Sequence, residues 1–201
     1  MTPAPADLAA FIIAVCFAAG LNVYATTATL GLLGRFGIVA LPDQISLLTD
    51  WWVIGGASVL FAAEFIADKV PVVDLIWNVF QTVVRVPAAG VLAYAAASPL
   101  PFGWQLVAAA LGASIAAAAH SGKVAARSAV TASPEPVSNI GLSLFEDALA
   151  IGLTWFATQH PYIAATIVLT LVAAVVFFLR WLIVAFRRRR RDVPEPHGIV
   201  R

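Results

Sequence analysis

A chain of 201 residues that is 61% hydrophobic and only 11% charged, with mean hydropathy +0.91, is far more apolar than a soluble domain, in which about a quarter of residues are charged. The formal charge of +1 hides a segregated distribution: Arg187 to Arg191 place five positive charges in one block, and the rest of the chain is net −4. These figures exclude a water-soluble enzyme and point to a polytopic membrane protein with no nucleic-acid partner.

The apolar run beginning at Leu8 has no basic residue before it and no small-residue cleavage pattern leading into a polar region, so it reads as a membrane helix and not a signal peptide. With about 20 residues needed to cross a bilayer, helices are expected near 8–33, 51–69, 74–97, 104–127, 139–159 and 161–186. That gives an all-α transmembrane bundle of about six spans over 8–186, with a short tail at 1–7 and a basic tail at 187–201. Each separator contains a helix breaker: Pro42, Pro71, the pair Pro99 and Pro101, the pair Pro134 and Pro136, and Pro161. Cys16 is the only cysteine, which excludes an intrachain disulfide and a cysteine metal cluster.

Lys and Arg are retained on the cytoplasmic side of a bacterial inner membrane. An even number of spans puts both termini together, and placing the Arg187 to Arg191 block inside also brings Lys69, Lys123, Arg127 and Arg180 toward the cytoplasm, leaving Arg35 outside. Both termini are therefore expected in the cytoplasm of a multi-pass inner-membrane protein. The arginine block is expected to attract anionic lipid. Trp51, Trp52, Trp104 and Tyr162 then fall at outer helix ends, where amphipathic rings favour the headgroup layer. Gly55-Gly56 and the alanine-rich stretch Ala108 to Ala119 are expected to let helix backbones approach closely.

A faint internal repeat relates Phe65 to Pro71 and Trp155 to Pro161, each joining the second helix of a three-helix group to its third. Three helices per unit would invert the second copy, an arrangement common in transporters. Gly20 to Tyr24 and His120 to Lys123 would then occupy matching places.

The polar residues fall on helical faces, since positions three, four and seven apart share a side. Asp74, Asn78, Gln81 and Arg85 form one stripe, which lipid would reject. His120, Lys123 and Arg127 share a face, as do Glu64 and Asp68, with Lys69 following. Ser143, Asp147 and Thr154 form another beside Glu146, and Asn22, Thr26 and Thr29 a fifth, near Tyr24. Charge in a spanning segment is costly unless paired or hydrated, so these stripes should converge. His160 and His197 read as surface residues, and no histidine pair has metal-binding spacing, so neither a metal nor a cofactor is expected.

The ordered set Gly20-Leu21-Asn22-Val23-Tyr24, Glu64-x-x-x-Asp68-Lys69-x-Pro71-x-x-Asp74, His120-x-x-Lys123-x-x-x-Arg127 and Ser143-x-x-Glu146-Asp147-x-x-Ala150 resembles a widespread bacterial family of small multi-pass membrane proteins that carries a domain-of-unknown-function label. The resemblance covers nearly the whole chain and implies a topology and a residue list; it brings no activity with it.

Two readings of the polar residues stay open. In one, Glu64, Asp68, Asp74, Glu146 and Asp147 neutralise Lys69, Arg85, Lys123, Arg127 and His120 in a network that fixes helix register. In the other, a cytoplasm-facing cavity holds an anion on Arg and Lys while Glu64 carries a coupling proton. The expected function is accordingly a small transporter or flippase for an anionic solute or lipid headgroup. The alternatives are a membrane-embedded enzyme acting on a phosphorylated lipid, with His120 as acid or base, and a non-catalytic assembly subunit. Oligomeric state is not legible in the sequence.

Overall fold

The structure is a computed structural model that describes residues 4–69, 71–131 and 136–191, with the side chains of 71–75, 129–139, 182 and 185–191 outside the description. All of its regular elements are helices: α1 (Pro5–Leu21), α2 (Val23–Arg35), a short 3-10 helix (Asp43–Thr49), α3 (Trp51–Ala67), α4 (Pro71–Ala96), α5 (Phe102–Thr131), α6 (Pro136–Gln159) and α7 (Pro161–Arg191). Proline opens α1, α4, α6 and α7, where its missing N–H costs nothing and its fixed φ suits the first turn. Among the described residues four helices, α4 to α7, are long and apolar enough to cross a membrane, and α3 makes a fifth when joined to the 3-10 helix across a 65° bend. The chain is thus a multi-pass membrane protein. α7 continues through the basic block to Arg191, and arginine is a good helix former.

The first expected span is two helices. Asn22 has φ −153° and ψ 101°, an extended residue that ends α1 and caps α2, its side chain accepting the Ala25 N–H. From this break α2 turns back toward the end of the bundle where α1 begins. Leu8 and Phe11 share a cavity of about 160 Å³ with Leu41, Pro42 and Pro161, and Gly34, near the end of α2, lies against Leu41 and Thr49. The six steps from Arg35 to Leu41 reach at most about 20 Å, far short of the roughly 45 Å that α1 and α2 would cover end to end. The two helices form a hairpin with Asn22 at its tip.

The hairpin places the start of α7 beside the start of α1. Pro161 starts α7 beside Leu8, and α7 runs alongside α1, with Ala164 and Val168 in one core cluster with Ala14 and Ala18. Its 31 residues then carry the chain roughly 45 Å away. Pro5 and Arg191 therefore lie toward opposite ends of the helix bundle. The two proposed repeat units also differ, since α5 is unbroken through His120 to Lys123 while the corresponding stretch of the first unit breaks at Asn22.

Close backbone approach occurs, though not at Gly55-Gly56, around which a Cβ would meet nothing within 4 Å. It occurs where Gly20 meets Ala116 and Ala119 of α5 and where Gly112 meets Ala89 and Ala93 of α4 and Cys16. The hairpin's first leg is thereby sunk into the centre of the bundle, with Ala14, Ala18 and Ala19 fully buried.

Candidate functional site

Five polar stripes meet around the hairpin tip. Asn22, Glu64, Asp68, Gln81, Arg85 and Ser143 have no exposed surface, and Asn78, His120, Lys123, Arg127, Glu146 and Asp147 are buried as well. Each helix delivers its members by the three- and four-residue periodicity of one face. The ends of α1 and α3, the middle of α4, the second half of α5 and the first half of α6 therefore contribute at one depth. With 17 residues in α1, that depth is roughly 25 Å from Pro5, toward the end of the bundle where α3, α5 and α7 finish.

The contacts form a chain of ion pairs. Arg85 is paired with Glu64 through Nη2 and Oε1. Lys123 Nζ stands 3.4 Å from that same Oε1, 3.3 Å from Asp68 Oδ2 and 3.4 Å from Glu146 Oε2. Arg127 closes the chain, its Nη2 donating to Asp68 Oδ2 at 2.7 Å and Glu146 Oε2 at 2.8 Å, with Nε donating to Glu146 at 3.1 Å. Lys123 is the hub. Buried pairs of this kind add little net stability but are costly to break singly, because the abandoned partner keeps its charge away from water.

The helix break supplies fixed dipoles to the same cluster. Carbonyl groups at the end of α1, Gly20 and Leu21, accept from Arg85 Nη1 and Lys123 Nζ, each at 3.4 Å. The negative end of one helix dipole thus faces cations. At the start of α2 the polarity reverses: the Asn22 side-chain amide donates to Asp147 Oδ1 at 2.9 Å while its oxygen caps Ala25, placing a carboxylate near the positive end. Discontinuous membrane helices use their two ends in this way around bound ions and polar substrates.

His120 joins the site through Arg85. Arg85 Nη1 lies 3.2 Å from His120 Nδ1, and Thr82 Oγ1 lies 2.7 Å from Nε2. A guanidinium can only donate, so Nδ1 accepts and the hydrogen is assigned to Nε2, giving a neutral ring that donates to Thr82. Thr82 in turn donates to the Asn78 carbonyl at 3.0 Å. Thr82 carried no legible signal, because a threonine in a membrane helix ordinarily bonds its own backbone, as this one also does.

Two expected members stand apart. Lys69 Nζ donates to the Phe65 carbonyl at 2.7 Å, and Tyr24 packs against the apolar cluster around Leu8 and Ala116. The Asp74 side chain lies outside the described residues. Among the described buried residues four carboxylates, Glu64, Asp68, Glu146 and Asp147, face three fixed cations, Arg85, Lys123 and Arg127, a formal excess of one negative charge. Asp147 has the weakest cover, a neutral amide on Oδ1 and no partner on Oδ2. No group of histidine, cysteine and acidic residues among the described residues is arranged to hold a metal ion. The cavity beside Leu8 and an apolar groove of about 150 Å³ lined by Ile12, Leu100, Trp104 and Leu111 both lie away from Glu64, Arg85 and His120.

The chain belongs to a family described as a domain of unknown function, DUF4126, whose family model matches residues 9–181. The matched region contains the hairpin tip and every charged residue of the cluster. No curated protein and no solved structure matches the chain.

Proposed function

We propose that this member of the DUF4126 family is a small proton-coupled transporter or flippase for an anionic solute or lipid headgroup, in which Glu64 stands in for the anion when the site is closed. The reading rests on one carboxylate oxygen, Glu64 Oε1, shared by Arg85 and Lys123 with all three side chains buried. Both bases are neutralised from within. A proton arriving at Glu64 cancels its charge and releases Arg85, while Lys123 keeps Asp68 and Glu146, and an anion takes the vacated place with no change in the net charge of the site. Guanidinium and ammonium groups are suited to oxoanions and carboxylates. The hairpin tip offers the movable element, because its polar contacts to Arg85 of α4, Lys123 of α5 and Asp147 of α6 are the ones that the exchange would remake.

The test is reconstitution into liposomes holding a trapped pH indicator. Adding inorganic phosphate, bicarbonate or a short carboxylate outside should acidify the interior for the native protein. Glu64→Gln should still exchange labelled anion across the membrane but no longer move protons with it. Failure of every anion to acidify the vesicles, or retained acidification with Glu64→Gln, would defeat the reading. A purely structural network is the second reading, favoured by the burial of every charged member; in that case Glu64→Gln lowers stability and no flux is seen. A lipid-processing enzyme has less support, because both ring nitrogens of His120 are engaged and neither cavity reaches it.

Sidedness belongs to the same proposal. Lys69, Lys123, Arg127, Arg180 and Arg187 to Arg191 belong to the half of the bundle where α3, α5 and α7 end, and Arg35 to the opposite half. The basic-residue rule then puts that end in the cytoplasm and Pro5 outside, in an inner-membrane protein. Cys16 is buried, so single cysteines introduced elsewhere report cleanly. A membrane-impermeant maleimide should label Ala4→Cys in intact spheroplasts, and Arg201→Cys only after permeabilisation. Labelling of both from one side would refute the arrangement.

A further inference from the structure

We infer that Gln81 and the Nε of Arg85 are a paired ligand contact for an oxoanion that also carries a hydroxyl group. The inference rests on the transport reading above and specifies its substrate class. Gln81 has no exposed surface, yet neither its amide nitrogen nor its amide oxygen has a hydrogen-bond partner among the described residues. Its neighbours on the α4 stripe are engaged: Thr82 with His120 and Asn78, and Arg85 through both terminal nitrogens with Glu64, His120 and Gly20. Arg85 Nε is the remaining guanidinium nitrogen, and it too is buried without a partner.

The two orphaned groups belong together. Residues 81 and 85 are one helical turn apart on one face, and long side chains in a helix lean back toward its N-terminus, which carries the Arg85 stem over Gln81. A buried amide left without partners costs free energy. An apolar residue of the same length would fill this place at lower cost if the position served packing alone.

The chemistry selects the ligand. Arg85 Nε–H and the Gln81 amide N–H offer two donors to an ionised oxygen, while the Gln81 carbonyl can only accept and so asks for a hydroxyl on the same ligand. Dihydrogen phosphate, hydrogencarbonate and a monoester phosphate headgroup carrying one proton meet both demands. Chloride meets the first alone.

The experiment measures ligand-induced stabilisation of the purified full chain in detergent with inorganic phosphate, bicarbonate, chloride and a short-chain phosphatidic acid, for the native protein and for Gln81→Met. The native protein should bind phosphate or bicarbonate in preference to chloride. Gln81→Met, close in volume and without polar atoms, should bind about ten- to a hundredfold more weakly while melting at or above the native temperature without ligand. Preference for phosphatidic acid over inorganic phosphate would assign the site to a lipid headgroup; the reverse would assign it to a free solute. Unchanged affinity in Gln81→Met, a clear fall in its ligand-free melting temperature, or equal binding of chloride would each overturn the inference and leave the transport reading standing. Native protein that binds none of the four would remove both.

Discussion

Arg85→Leu should be among the most destabilising substitutions in the protein, lowering stability by about 3–5 kcal/mol. Arg85 is fully buried and its pairing with Glu64 joins α4 to the end of α3. Without it, Glu64 keeps Lys123, but Lys123 is already shared with Asp68 and Glu146. Glu64 would then depend on that shared ammonium alone, whereas Asp68 and Glu146 keep Arg127, and His120 and the Gly20 carbonyl would lose a donor. Replacing both partners, Arg85→Leu with Glu64→Leu, should recover most of the loss, because no uncompensated charge remains in the low-dielectric interior. The measurement is thermal unfolding in detergent together with the monodispersity of each variant. A single variant that melts within about two degrees of the native protein would mean that Glu64 is neutralised by other means, against the geometry of the pair.

Gly20→Val should also be strongly damaging, by about 1–3 kcal/mol or more. A Cβ at position 20 would stand 2.5 Å from the Ala116 carbonyl oxygen, 2.7 Å from Ala116 Cα and 2.8 Å from Ala119 Cβ. Two of these neighbours are backbone atoms of α5 and cannot turn aside, so α1 must move outward. Because Gly20 lies two residues from the hairpin tip, that shift also withdraws the Gly20 and Leu21 carbonyls from Arg85 and Lys123. Gly55→Ala is the control: nothing lies within 4 Å of its Cβ, and alanine has the higher helix propensity, so the change should be neutral or mildly stabilising. If Gly20→Val and Gly55→Ala melt alike, the close crossing of α1 and α5 is not a feature of the folded protein.

Much of the fold was legible in composition and periodicity. An apolar chain interrupted by proline-containing breaks could only be a helical membrane protein, since a bilayer forces each segment to satisfy its backbone internally. Asn78, Gln81 and Arg85 at three- and four-residue spacing named the inward face of α4, and the same logic placed Glu64 with Asp68, His120 with Lys123 and Arg127, and Ser143 with Asp147. Every one of these is buried. Lipid rejects such faces whatever they contact, so burial follows from one helix alone.

Partners do not. Periodicity identifies a face and leaves open which face lies opposite, so that Arg85 takes Glu64, that Lys123 bridges three carboxylates and that Gln81 is left without a partner were decided by how α3, α4, α5 and α6 assemble. The break at Asn22 was likewise undecidable from the sequence: a continuous helix through Gly20-Leu21-Asn22 and a reversal there differ locally in one pair of dihedral angles. Packing of α2 against α3 and the 3-10 helix, which hold Gly31 against Leu48 and Ile54, selects the reversal. That one residue turned an expected span into a hairpin. The sequence by itself determined that charge would be gathered inside a membrane bundle; the tertiary structure alone decided which charges meet and that a helix tip lies among them, because those depend on long-range packing that no local pattern encodes.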